Sequence, residues 1–124
     1  MNTWYCDGST YKNGQPGQDS SYLILCPDGD IIRKHIGDFS INQAELFAIE
    51  EAIELAGMGD IIVTDSRTAY LWILNFKPNK NNKHVADRVK SLVPYAQAKD
   101  LSIKWLPRED NLAGKIIEED PFYE

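Results

Sequence analysis

Apolar and polar positions change period several times along the chain, and each change marks an element. Residues 3–7 (Thr3-Trp4-Tyr5-Cys6-Asp7) are rich in aromatic and β-branched types and read as a strand. Gly14, Pro16 and Gly17 then break the pattern into a loop. Tyr22-Leu23-Ile24-Leu25-Cys26 reads as a second strand, Pro27-Asp28-Gly29-Asp30 as a turn, and residues 31–36 as a third strand. Three strands with short connections predict an antiparallel meander.

The period then lengthens. Ser40 is followed three residues later by Gln43, a capping-box signature. Ala44, Phe47, Ala48, Glu51, Ala52 and Leu55 trace mostly one helical face, and Gly57 and Gly59 end it. Ile61-Ile62-Val63-Thr64 is a short apolar strand of the kind found in the parallel centre of a sheet. Ser66 is placed to cap a helix over 69–75, and residues 76–83 form a polar Lys/Asn-rich loop. A helix over 85–99 follows, with Pro94 expected to kink it. Residues 101–106 alternate as a fifth strand, residues 111–119 read as a last helix, and the remainder reads as a loose tail. The order βββαβααβα predicts an α/β fold with a mixed five-stranded sheet flanked by helices, parallel in its second half.

Composition narrows this only slightly. A chain of 124 residues suits one domain, and 43% hydrophobic content is enough to build its core. The longest apolar runs are far too short to span a membrane, and no N-terminal secretory pattern is visible. A cytoplasmic monomer without membrane attachment is the default expectation. Two cysteines, Cys6 and Cys26, are too few for a disulfide framework or a four-cysteine zinc site. The net charge of −6 weighs mildly against a nucleic-acid partner, yet Lys77, Lys80, Lys83, Arg88 and Lys90 gather into a basic stretch while the last residues are strongly acidic.

Three carboxylates fall where a core has no use for them. Asp7 ends the first strand, Asp65 ends the fourth, and Glu45 sits in the first turns of the helix between. If the two strands are parallel neighbours, both aspartates emerge at one end of the sheet, within reach of a glutamate on a helix packed there. Singly, each has an ordinary explanation: a turn, a favourable helix-dipole charge or an N-cap. Together they form an all-oxygen set suited to Mg²⁺ or Mn²⁺ rather than zinc. Clustered carboxylates are costly unless a cation neutralises them, and two such ions are a known solution for phosphodiester hydrolysis.

The segments Tyr5-Cys6-Asp7-Gly8-Ser9, Ile41-Asn42-Gln43-Ala44-Glu45-Leu46 and Val63-Thr64-Asp65-Ser66 resemble the successive metal-binding motifs of ribonuclease H, type 1, in order and spacing. The resemblance extends over nearly the whole chain. It implies a metal-dependent endonuclease that cuts the RNA strand of an RNA–DNA hybrid, leaving a 5′-phosphate and a 3′-hydroxyl, with two ions when substrate is bound. It implies Asp7, Glu45 and Asp65 as metal ligands. It places Asn42 and Gln43 against the shallow minor groove, where 2′-hydroxyls distinguish RNA, with Gly8 and Ser9 allowing close approach of the strand and Ser66 beside them.

The C-terminal part departs from that family's pattern, which carries an Asn and, four residues on, an Asp at the start of the last helix. Four residues after Asn111 stands Lys115. Asn111 itself is therefore a candidate for the fourth catalytic and metal-ligating role, Glu118 is an alternative, and three ligands are the remaining option. The plain readings are a helix cap for Asn111 and a solvated face for Glu118. The family's mobile His also has no counterpart; Arg108 follows the fifth strand at a comparable place and suits a phosphate. Lys77, Lys80 and Lys83, with Trp72 and Phe76 upstream, offer a surface for the hybrid backbone or simply a solvated loop. Two rivals stay open: another nuclease of the same superfamily, such as a junction resolvase or an exonuclease, and a catalytically weak hybrid-binding module.

Overall fold

The computed structural model describes residues 2–10, 20–75 and 83–119. Five strands form one mixed sheet: β1 (Thr3–Thr10), β2 (Ser20–Leu25), β3 (Ile31–Gly37), β4 (Ile61–Thr64) and β5 (Ser102–Trp105). Their spatial order is β3-β2-β1-β4-β5. The β1–β2 and β2–β3 pairs are antiparallel, and the β1–β4 and β4–β5 pairs are parallel. The helices are α1 (Ile41–Leu55), α2 (Arg67–Asn75), α3 (Lys83–Ala98) and α4 (Leu112–Glu119), with a 3₁₀ turn at Arg108–Asp110 before the last.

Alternation along the strands divides the molecule into layers. Cys6, Ile24 and Ile62 face a large core shared with Leu46, Ile49 and Ile53 of α1 and with Val89 and Leu92 of α3. Tyr5 and Leu23 face the other way and pack under Ala113, Ile116 and Ile117 of α4. The sheet therefore carries α1 and α3 on one face and α4 on the other, and the carboxylates sit where these layers meet.

Local chemistry explains the element boundaries. Ser40 caps α1 by a complete capping box: its hydroxyl accepts from the Gln43 N–H, and the Gln43 side chain accepts from the Ser40 N–H. The Lys99 ammonium closes the other end, donating to the carbonyls of Ile53, Glu54 and Ala56 at 2.8–3.0 Å. Ser66 caps α2, its hydroxyl accepting from the Ala69 N–H at 3.1 Å, so that helix starts at Arg67 rather than 69. Lys83, expected in the loop, is the first residue of α3, which runs on through Pro94. Pro94 lies on the solvent side of α3.

One boundary bears on the site. Asp7 does not end its strand: β1 continues to Thr10 because Gly8, Ser9 and Thr10 pair with Tyr22, Ser21 and Ser20 of β2. What ends near Asp7 is the parallel pairing with β4, whose last matched pair is Cys6 with Thr64. Asp7 and Asp65 are thus the next residues along two adjacent parallel strands, just beyond the shared ladder.

Candidate metal centre

Asp7, Glu45 and Asp65 come together. Each offers a carboxylate oxygen, and these oxygens all lie within 4.8 Å of one another. Asp7 is fully buried and Glu45 nearly so. The main chain around them is held closely. The Gly8 N–H donates to Asp7 Oδ1 at 3.0 Å, and the Trp105 indole N–H donates to the Asp65 carbonyl at 3.0 Å. Gly8 lets α1 approach: a β-carbon there would stand 2.9 Å from the Glu45 nitrogen and 3.0 Å from the Ala44 β-carbon. Glycine at this position is what allows the helix bearing Glu45 to lie against the strand bearing Asp7.

The second oxygen of each carboxylate is the telling feature. Asp7 Oδ2, Glu45 Oε2 and Asp65 Oδ2 are buried and have no hydrogen-bond partner. Buried polar atoms in native proteins are almost always satisfied. Three orphaned acceptors of the same sign, on three carboxylates that lie together, fit an oxygen-binding cation. Without one the cluster holds protons instead. Burial pushes Asp7 up to about 7, with the Asp65 charge adding to the rise and the Arg108 guanidinium opposing it. Burial, followed by the Asp7 charge and a hydrogen bond with Asp7, raises Glu45 well above the usual carboxylate range. Burial, then the charge of Glu45, also pushes the Cys6 thiol up; it stays an apolar filler, its Sγ 3.7 Å from the Ala48 carbonyl.

The candidates for the fourth role lie in different settings. Asn111 is fully buried beside the cluster, but both ends of its amide are engaged. Nδ2 donates to the Cys6 carbonyl at 2.8 Å, and Oδ1 accepts from the Ala113 N–H at 3.1 Å as the N-cap of α4. It is a cap and a tie to β1, with both ends of its amide committed to the main chain. The side chain of Glu118 lies outside the described residues. Lys115, four after Asn111, is exposed. The residue of α4 that does face the cluster is Gly114: a β-carbon there would lie 3.2 Å from Asp7 Oδ2 and 3.5 Å from Asp65 Oδ2. Counting from Asn111 did not find it, because the cap sets the phase of the helix and places position 114 over the site.

The other candidate residues scatter between roles. Ser9 follows Asp7 by two positions in β1 and so shares its side of the sheet. Asn42 and Gln43 lie in the first turn of α1, with the Gln43 side-chain oxygen committed to the cap. Ser66 follows Asp65 and caps α2. Arg108 is exposed at the 3₁₀ turn, with its side-chain stem near Gly114. Lys77, Lys80 and Phe76, and the side chain of Lys83, lie outside the described residues. Two members of the supposed basic surface belong elsewhere. Arg88 pairs with Glu50 at 2.6 Å and stacks 4.3 Å over the Phe47 ring, while Trp72 packs on the main core. Trp105, which fixes the main chain of Asp65, was not foreseen; its only sequence signal was its place late in a strand.

Comparison with known proteins gives the family of this five-stranded mixed sheet with carboxylates clustered at the end of its parallel pair. The RNase H family profile matches residues 1–111, and the chain belongs to that family. RNase H1 from the halophilic archaeon Halobacterium salinarum NRC-1 shares the fold at 22% identity and a TM-score of 0.67, over 93% of this chain and 92% of that one. LC11-RNase H1, solved in complex with an RNA/DNA hybrid, does so at 20% identity and a TM-score of 0.71, over 96% and 95%. The N-terminal RNase H domain of rv2228c from Mycobacterium tuberculosis gives 16% identity and a TM-score of 0.65, over 92% of each chain. The chain is a ribonuclease H by family and by fold. No helix among the described residues is long and apolar enough to cross a membrane.

Proposed function

We propose that the chain is an endonuclease that hydrolyses the RNA strand of RNA–DNA hybrids with Mg²⁺ or Mn²⁺ held by Asp7, Glu45 and Asp65, giving 5′-phosphate and 3′-hydroxyl ends. The observation that carries this reading is the set of three buried, unpartnered carboxylate oxygens. Membership of the RNase H family and the likeness to a structure solved with an RNA/DNA hybrid support the substrate.

When bound, divalent ions activate water for in-line attack and neutralise the departing oxygen. The protein's part is positioning. Asp7 and Glu45 must ionise before they can take a cation, so their raised pKa values make loading pH-dependent. The Gly8–Glu45 contact and the Trp105 hydrogen bond hold the ligand-bearing main chain in register. On this reading Gly8, Ser9, Asn42, Gln43 and Ser66 serve contacts with the hybrid, and Arg108, whose charge acts on Asp7, offers a cationic fork suited to a phosphate.

The test is a substrate panel at fixed metal: RNA–DNA hybrid, duplex DNA, duplex RNA and a four-way DNA junction. Cuts confined to the RNA strand of the hybrid, lost in Asp65→Asn, support the reading. Preferential cutting of the junction or of DNA ends replaces it with a resolvase or an exonuclease, and tight hybrid binding without turnover replaces it with a binding module.

A further inference from the structure

The outer face of α1 carries a groove that the metal centre does not use. Phe47, Glu50, Glu51 and Glu54 recur at helical spacing and so share one face of that helix. Two adjoining hollows of about 310 and 640 Å³ run along it, with Glu50, Glu54 and Arg88 as their common wall. Tyr22, Ile36 and Phe39 bound the first against the sheet, and Asp87, Leu92 and Tyr95 of α3 bound the second. The groove therefore sets aromatic rings beside four carboxylates and one guanidinium. A solvated acidic face accounts for Glu54 and Asp87, which are exposed. It does not account for Glu51, whose side chain is only 15% exposed. One Glu51 oxygen accepts from the Tyr22 hydroxyl at 2.8 Å and pairs with the Lys34 ammonium; the other, Oε2, is buried with no hydrogen-bond partner. A buried carboxylate oxygen without a donor is uncommon. Arg88 shows which chemistry the groove takes. Its guanidinium pairs with Glu50 at 2.6 Å and lies 4.3 Å over the Phe47 ring, to which the Phe39 ring stands edge-on at 4.9 Å. Such surroundings suit a long basic side chain, which lays its stem on apolar surface and its charge on an acid.

We infer that this groove is a docking site for an extended, arginine- or lysine-bearing segment of a partner protein. One basic side chain crosses the Phe39 and Phe47 rings to reach Glu51 Oε2, and another lies between Glu54 and Asp87 beside the Tyr95 ring. The spread of the carboxylates favours a peptide over a compact ligand. From Phe47 to Glu54 the helix rises about 10 Å, the reach of about three residues of extended chain. Neither hollow is enclosed, so a segment can lie along both. The net charge of −6 adds long-range attraction for a basic partner. Glu45 and Phe47 are two positions apart and so point to nearly opposite sides of α1. The groove and the metal centre can therefore be tested separately.

The experiment is fluorescence anisotropy of a labelled hexa-arginine peptide titrated with the full chain in excess Mg²⁺, with hexa-citrulline as the uncharged control. It compares wild type with Glu51→Gln, Glu54→Lys and Asp30→Lys, each checked for folding by circular dichroism. Asp30 is exposed in the turn between β2 and β3, so Asp30→Lys makes the same charge change as Glu54→Lys away from the groove. Wild type is expected to bind hexa-arginine and to leave hexa-citrulline free. Glu54→Lys is expected to weaken binding at least about tenfold and Glu51→Gln at least about threefold, because a reversed or missing charge at a contact costs affinity directly. Asp30→Lys is expected to stay within about twofold of wild type, since exposed charges beyond a Debye length are screened. Hybrid cleavage by Glu54→Lys should be unchanged. Equal losses in Glu54→Lys and Asp30→Lys would reduce the effect to net charge and overturn the inference. So would three other results: no binding at millimolar peptide, displacement of the peptide by spermine at lower concentration than by unlabelled hexa-arginine, which would give the groove to a free polyamine, or self-association in sedimentation that Glu54→Lys abolishes, which would give it to a second copy of the chain. If Glu51→Gln does not fold, the comparison of Glu54→Lys with Asp30→Lys decides the matter. The ribonuclease reading stands under each of these outcomes.

Discussion

The side-chain nitrogen of Asn111 donates to the main-chain oxygen of Cys6 at 2.8 Å, across 105 positions of sequence. That bond fastens the start of α4 to the strand residue directly before Asp7. The same side chain caps α4 through the Ala113 N–H. One buried amide therefore sets both the phase of the last helix and the place where that helix meets the carboxylates.

Removing it should be costly. Asn111→Ala is expected to lose about 2–4 kcal/mol, the sum of a lost N-cap and a stranded buried carbonyl. Asn111→Asp keeps the capping acceptor but loses the donor and adds a negative charge beside the cluster, so without metal it too should be less stable than wild type. Urea denaturation measures both. An Asn111→Asp variant as stable as wild type in chelator would contradict the tie.

Gly8 gives a second test. A methyl group there would lie within 2.9 Å of main chain that cannot swing away. Gly8→Ala is expected to cost about 1–3 kcal/mol as α1 is forced off β1. Cleavage should fall further than stability at the assay temperature explains, because Glu45 moves with the helix. Denaturation curves paired with hybrid cleavage by the folded fraction check this.

The pH dependence follows from the raised carboxyls. Asp7 titrates at about 7 when folded, against 3.8 as its ordinary value, and Glu45 is raised too. The native state then holds protons that the unfolded state has released, so between about pH 4 and 7 stability falls as pH rises. Below that window both states are protonated and the benefit is complete; above it the repulsion is complete. The swing attributable to Asp7 is on the order of 2–4 kcal/mol in chelator. Asp7→Asn should flatten the curve and raise stability at pH 8 in chelator while abolishing cleavage. Melting temperatures across pH, in chelator and in excess Mg²⁺, provide the measurement.

Lys99 separates stability from activity. It caps the C-terminal end of α1 with three hydrogen bonds, and its ammonium lies 4.8 Å over the Tyr95 ring. Lys99→Met is expected to lose about 1–2 kcal/mol with hybrid cleavage by the folded protein unchanged. A large loss of cleavage at full folding would show that the far end of α1 reaches the site.

The sheet, the helices and the three carboxylates were legible because each leaves a local mark: a change of period, a capping box at Ser40 and Gln43, an acid at the end of an apolar run. The extent of β1 was not, since Gly8-Ser9-Thr10 looks like a turn until Ser20 and Ser21 are seen pairing with it. The basic surface was over-read at Arg88, because Glu50 and Phe47 reach it only through the packing of α1 against α3. The fourth corner of the site was illegible for a finer reason. A cap one residue before the helix decides which side chain faces inward, and sequence spacing pointed to Lys115 where the fold presents Gly114.

The most direct measurement is cleavage of an end-labelled RNA–DNA hybrid by the purified chain with Mg²⁺, with Mn²⁺ and with chelator, beside the Asp7→Asn and Asp65→Asn variants. The account predicts cuts in the RNA strand alone that need the divalent ion and vanish in both variants while their circular dichroism stays that of the folded protein. Cleavage that persists in chelator, or in either folded variant, would contradict it.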